Sequence, residues 1–118
     1  MHSSHRVKHF FSFSCFEDND DNAISGGDAD NAIYGKGGDD ALYGGAGSDE
    51  LYGGNDEDSL FGGAGNDTLD GGTGSDRAYG GSGNDSLNGG NNNDTLRGHS
   101  GNDTLVGSSG SDFVDGGS

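Results

Sequence analysis

A chain of 118 residues has the length of one ordinary domain, but 27 glycines, no proline, no tryptophan and only 26% hydrophobic residues are not the composition of a globule. Twenty-one Asp and Glu against five Lys and Arg give a formal charge of −16, which repels nucleic acid and anionic membrane alike. With so little apolar surface to offset chain entropy and self-repulsion, such a chain needs positive charge from outside to fold. Calcium, a hard cation that prefers oxygen ligands, is the natural candidate.

Residues 1–16 differ in character from the rest of the chain. His2, His5 and His9 have spacings that could share one helix face, yet they read as surface or tag-like residues. The stretch HFFSFSCF (9–16) comes after a basic run, as a degenerate secretory leader would. It is short, broken by serines and without a small-residue cleavage site, so it is expected instead to cap an open coil of a solenoid. Cys15 is the one cysteine, which excludes an internal disulfide and any CxxC metal pair. No apolar stretch approaches the roughly 20 residues of a membrane span.

From Glu17 onward the chain repeats. A degenerate unit, EDNDDNAIS, opens the series; its acidic start resembles an EF-hand loop, but Ala23 stands where the sharp turn needs glycine and Ala29 where the bidentate acid belongs. From Gly26 the sequence reads in nines: GGDADNAIY, GKGGDDALY, GGAGSDELY, GGNDEDSLF, GGAGNDTLD, GGTGSDRAY, GGSGNDSLN, GGNNNDTLR, GHSGNDTLV, GSSGSDFVD, and then Gly116-Gly117-Ser118. Position 1 is always glycine. Position 6 is Asp40, Asp49, Asp58, Asp67, Asp76, Asp85, Asp94, Asp103 and Asp112 in succession, and position 8 is apolar throughout, with Ala78 the smallest.

Each column has a physical reason. Glycines at positions 1, 2 and 4 permit positive φ and close backbone approach, so the segment turns sharply and exposes carbonyls. Positions 7 to 9 alternate around the apolar position 8, the period of a short strand with one buried side. Each nonapeptide is therefore a turn plus a strand, and two make an 18-residue coil with one strand in each of two facing sheets. Stacked coils would set parallel strands about 4.8 Å apart. Ile33, Leu51, Leu69, Leu87 and Leu105 would line one inner face, and Leu42, Leu60, Ala78, Leu96 and Val114 the other. Tyr43, Phe61 and Tyr79 at position 9 would stack outward on one sheet, with Tyr34 and Tyr52 on the other; cross-strand packing is the plain reading of these ladders.

The same stacking brings together aspartates 18 residues apart. Two carboxylates about 5 Å apart repel by on the order of 1 to 3 kcal/mol. A Ca²⁺ between stacked turns reverses that sign, because it accepts six to eight oxygens and the turns offer carbonyls and carboxylates together.

The unit GGxGxDxUx, with U apolar, resembles the repeat of the RTX or haemolysin-type calcium-binding proteins. The resemblance covers residues 17–118, with GGAGSDELY, GGAGNDTLD and GGSGNDSLN as clean matches. It implies an all-β, right-handed parallel β-roll with a row of Ca²⁺ along each edge, roughly seven ions in all. They would be held by the nine position-6 aspartates and by carbonyls of turn glycines, here Gly44, Gly45, Gly47, Gly62, Gly63, Gly65, Gly71, Gly72, Gly74, Gly80, Gly81 and Gly83. It also implies one-step secretion, an extracellular location, folding on meeting external calcium, and a partner domain or C-terminal secretion signal missing from this chain.

Several units depart from the pattern. Asn31 replaces the aspartate of the first full unit and Ala29 its fourth glycine. Lys36, His99 and Ser108 replace the second glycine of theirs, and Asp56 and Asn92 the fourth. Lys36 adds positive charge near a proposed site. No HExxH, GxSxG, P-loop or GxGxxG pattern occurs, so no enzyme is expected. The alternatives are an adhesive or ice-binding solenoid rigidified by calcium, against which the irregular position 3 counts, and an accessory module of a secreted protease, lipase or toxin.

Overall fold

The computed structural model describes residues 6–9, 14–16 and 21–117. Among these residues there are strands and turns and no helix. The strands are β1 (Arg6–His9), β2 (Ser14–Phe16), β3 (Asn22–Gly27), β4 (Ala32–Tyr34), β5 (Ala41–Gly45), β6 (Glu50–Gly54) and β7 (Ser59–Ala64). They continue with β8 (Thr68–Gly72), β9 (Arg77–Ser82), β10 (Ser86–Gly90), β11 (Thr95–His99), β12 (Thr104–Ser108) and β13 (Phe113–Asp115).

Odd-numbered strands form one seven-stranded sheet and even-numbered strands a six-stranded one. Every pairing is parallel, and from β2 onward the register is the 18-residue period: Leu42 lies opposite Leu60 and Leu60 opposite Ala78, while Leu51 lies opposite Leu69. The chain thus crosses from sheet to sheet every nine residues, as a β-solenoid. Alternation within each strand sends position 8 inward and its neighbours outward.

The core between the sheets is one side chain deep. Ile24, Leu42, Leu60, Ala78 and Leu96 from one sheet meet Ile33, Leu51, Leu69 and Leu87 from the other, all 0 or 1% exposed. Leu105 packs on this row and is only partly buried. Val114, expected to line the inner face, is 48% exposed. It lies on β13, an edge strand of its sheet, so β11 covers one side and, among the described residues, no strand pairs with the other.

Outside, the aromatic ladders form as their register demands. Tyr43, Phe61 and Tyr79 stack at 4.9 and 5.1 Å between ring centroids, and Tyr34 and Tyr52 at 4.8 Å. These are strand spacings, so the rings add cross-strand contact without distorting the sheet. Within residues 1–16, the backbone of β1 pairs with β3 and that of β2 with β4, extending both sheets by one strand. The remainder of that segment, and residues 17–20 of the degenerate first unit, lie outside the described residues.

Candidate metal centre

Turns leaving odd strands stack along one edge of the roll and turns leaving even strands along the other. The first row carries Asn31, Asp49, Asp67, Asp85 and Asp103 at position 6; the second carries Asp40, Asp58, Asp76, Asp94 and Asp112. All are turned inward: Asn31 and the aspartates from Asp40 to Asp94 are 1 to 4% exposed. Asp103 and Asp112, in the last turn of each row, are partly buried.

From Asp49 onward, one oxygen of each carboxylate holds the neighbouring turn. The Asp67 Oδ1 accepts from the backbone N–H of Asp49 at 2.8 Å, and the Asp76 Oδ1 from that of Asp58 at 2.8 Å. The pattern runs unbroken along both edges, from the Asn31 N–H on Asp49 to the Asp94 N–H on Asp112. Oδ2 of Asp40, Asp49, Asp58, Asp67, Asp76, Asp85, Asp94 and Asp103, and Oδ1 of Asn31, are buried without a hydrogen bond. A buried carboxylate oxygen left unpaired is costly, and a whole file of them points to a missing counter-charge.

The glycines define what space those oxygens face. A Cβ added at Gly62 would stand 2.6 Å from Asp67 Oδ2 and 2.7 Å from the Gly80 carbonyl oxygen of the next turn. Gly44, Gly71 and Gly80 stand in the same relation to Asp49, Asp76 and Asp85, at 2.5 to 2.6 Å. Position 1 is thus glycine because a carboxylate and a carbonyl converge where a side chain would begin. Positions 2 and 4 are glycine for another reason. Gly45, Gly63, Gly72 and Gly81, and Gly47, Gly65, Gly74 and Gly83, all have φ between 92° and 106°, and a Cβ at Gly63 would strike the Gly45 carbonyl stacked against it.

All five replacements singled out at positions 2 and 4 beyond the first unit keep to this path. Lys36, Asp56, Asn92, His99 and Ser108 are the non-glycine residues with positive φ among those described, at 72° to 76°. At His99 and Ser108, where position 2 bears a side chain, the inter-turn bond stretches: Ser100 N to Gly81 O is 3.2 Å and Ser109 N to Gly90 O is 3.1 Å, against 2.9 Å for Ala46, Thr73 and Asn91.

Electrostatics agree with the geometry. Burial pushes Asp58 and Asp76 up to about 8 and Asp67 up to about 7, with stacked and flanking acids adding to the rise and the backbone N–H bond opposing it. Asp49, Asp85 and Asp94 are raised by the same principal cause. Carboxylates so placed hold either a proton or a cation. Among the described residues no three His, Cys, Asp or Glu side chains converge, so the remaining ligands must be carbonyls, which a hard cation accepts.

A second ladder, at position 5, escapes the column reading of the sequence. The Asn84 N–H donates to Asn66 Oδ1, and the Asn102 N–H to Asn84 Oδ1, each at 2.8 Å. Asp21, Asp30, Asp39 and Asn93 accept in the same way. Position 6 side chains reach back to the preceding coil and those of position 5 reach forward to the next one, so the two ladders clasp each turn from both sides. The column's Asp and Asn were visible; the serines and Glu57 among them hid its role, since those residues need only donate their N–H.

The family of the RTX calcium-binding nonapeptide repeat, described as four copies, matches residues 18–51, 34–69, 52–87, 70–105 and 88–118. No curated protein and no solved structure matches the chain. The chain belongs to the RTX calcium-binding repeat family.

Proposed function

We propose that this RTX chain is a calcium-triggered folding module of a secreted protein, with one Ca²⁺ between each pair of stacked turns that both carry aspartate. The observation that carries this is the file of buried, unpaired Oδ2 atoms facing glycine at position 1. Asp49, Asp67, Asp85 and Asp103 on one edge and Asp40, Asp58, Asp76, Asp94 and Asp112 on the other would supply the charge. Carbonyls of position 1, as at Gly80, and of the turn glycines at positions 2 and 4 would supply the remaining oxygens. Three such gaps on the first edge and four on the second make roughly seven sites. Bound calcium supplies counter-charge and cross-links successive turns.

Binding to the folded state alone stabilises it by RT ln(1 + [L]/Kd) per site. With extracellular-type affinities of about 10⁻⁴ to 10⁻³ M, millimolar calcium adds on the order of 0.4 to 1.4 kcal/mol per site. Over the rows this is several kcal/mol, comparable with the net stability of a small domain. Micromolar calcium adds almost nothing, so the chain would stay unfolded during export and fold outside the cell. Calcium titrated against far-ultraviolet circular dichroism, with Mg²⁺ as control, tests this. A strand signal that rises cooperatively at millimolar Ca²⁺ supports it; a strand signal complete in excess chelator overturns it.

A further inference from the structure

The two outer faces of the roll finish their aromatic ladders differently. On the odd-strand sheet the last ring is covered: His99 leans on Tyr79 at 6.0 Å, and beyond it the Arg97 guanidinium lies 5.0 Å over Phe113. On the even-strand sheet Tyr52 stacks on Tyr34, and its in-register neighbour on the other side is Asp70, which has no ring to lay over it. That side of Tyr52 borders a cavity of about 390 Å³, within the size range of small-ligand sites.

The floor of this cavity is two rows of side chains set by the parallel register. Thr68, Ser86 and Thr104 stand side by side on β8, β10 and β12, and Asp70, Asn88 and the apolar Val106 stand side by side two residues on. Ser108 Oγ donates to Asn88 Oδ1 at 2.9 Å, which commits the amide oxygen and leaves its nitrogen as donor. Asp70 and Asn88 therefore present an acceptor and a donor about one strand spacing, roughly 4.8 Å, apart, below an aromatic face.

We propose that this groove binds a neutral sugar unit of a glycan. A pyranose has one apolar C–H face, which suits Tyr52, and adjacent hydroxyls that each donate and accept, which suit Asp70 and Asn88 together. The hydroxyls of Thr68, Ser86 and Thr104 meet further hydroxyls of the same ligand. One carboxylate among four Ser and Thr hydroxyls, an amide and the apolar Val106 is a setting for a polyol more than for a cation. The inference goes beyond calcium binding and requires only that the roll be folded.

The test uses the whole calcium-saturated chain in isothermal titration and saturation-transfer NMR. Maltotriose, mannotriose, galactotriose and chitotriose serve as sugar probes, choline and trilysine as cationic ones. The expected result is binding of at least one trisaccharide, weakened about tenfold or more by Tyr52→Ala and by Asn88→Ala, a loss of about 1.4 kcal/mol or more. Tyr43→Ala, which shortens the ladder on the opposite sheet, leaves binding unchanged. No binding of any sugar, binding of choline or trilysine in their place, or equal loss in Tyr43→Ala overturns the proposal. If Tyr52→Ala loses its strand signal, Asn88→Ala, an exposed substitution, decides. A strand signal indifferent to calcium overturns the calcium reading alone, because the groove is then folded and testable regardless.

Discussion

The two edges of the roll trace the same turn with different residues. On the edge of Asp49, Asp67 and Asp85, the turns begin at Gly44, Gly62 and Gly80 and have glycine at positions 1, 2 and 4 throughout. The edge of Asp40, Asp58, Asp76, Asp94 and Asp112 holds Lys36, Asp56, Asn92 and Ser108, four of the five described residues that adopt positive φ without being glycine. The backbone is held there by the coils on either side, through the position 3, 5 and 6 N–H bonds, and not by local preference. What neither edge replaces is glycine at position 1, and after Asn31 neither replaces the aspartate at position 6. Positions 2 and 4 tolerate strain, while position 1 tolerates nothing because it faces the carboxylate.

The second edge also raises its carboxyls further. Burial first, and then three neighbouring acids at each, lift Asp58 and Asp76 to about 8, against about 7 for Asp67, which also has three acids around it. The largest expected effect comes from these buried carboxyls. A carboxyl with its folded pKa above its unfolded value of about 3.9 makes the folded chain bind more protons than the unfolded one. Stability therefore falls as pH rises from about 4 toward 8. In excess chelator, the strand signal in circular dichroism should grow as pH is lowered from about 8.5 to 4.5, with side-chain carboxyl NMR showing the second edge protonating first from the alkaline side. In calcium the dependence inverts, because protons compete for the same oxygens and the calcium midpoint rises with acid. A chelated chain that loses strand on mild acidification would refute this account of the buried carboxylates.

Gly62→Ala and Gly71→Ala should come next, and should be alike. Each places a methyl against a carboxylate oxygen and a carbonyl, overpacking that costs about 1 to 3 kcal/mol, and each also obstructs a cation site. Equal, large increases in the calcium midpoint would show that position 1 is equivalent on both edges. Tolerance of Gly71→Ala alone would mean that the edge with more irregular turns is also looser at its carboxylates.

Asp67→Ala and Asp76→Ala separate the edges by degree. With calcium, each loses a ladder hydrogen bond and the charge of a site, about 1 to 3 kcal/mol together. In chelator at neutral pH, each also removes a buried carboxyl that takes up a proton on folding, so the loss should shrink or reverse, and more so for Asp76 with its higher pKa. Denaturation of both variants with and without calcium measures the difference. An equal destabilisation in both conditions would show the carboxylates to be ladder acceptors only.

Much of this was legible in the chain. The nine-residue register placed the core from Ile33 to Leu96, the two carboxylate rows and both aromatic stacks, because a solenoid repeats one local environment and a column of like residues reports it. The five strained residues were legible as departures from glycine. Val114 was not, since its burial depends on a coil beyond it and not on its own unit. The position 5 ladder was hidden because Asn66 and Asn84 act through side chains where Ser48 and Glu57 act through backbone. The orphaned oxygen of each aspartate could not be read either: spacing gives the row, and only coordinates show that one oxygen is used and the other left over.

The smallest effect probes strain itself. His99 is the one strained residue on the otherwise regular edge, and its turn has the longest of the inter-turn bonds, Ser100 N to Gly81 O at 3.2 Å. A left-handed conformation costs a non-glycine residue about 1 to 2 kcal/mol, and less for Asn, whose short polar side chain suits it. Glycine removes that cost but frees the unfolded chain by about 0.4 to 1 kcal/mol, and the His99 contact with Tyr79 is lost. His99→Gly should therefore gain no more than about 0.5 to 1 kcal/mol in saturating calcium, raising Tm by a few degrees. Asn92→Gly, relieving less strain at the same entropic cost, should gain nothing measurable. If Asn92→Gly stabilises more than His99→Gly, left-handed strain is not what distinguishes the two edges, and the side chains at positions 2 and 4 must differ in how they meet the cation instead.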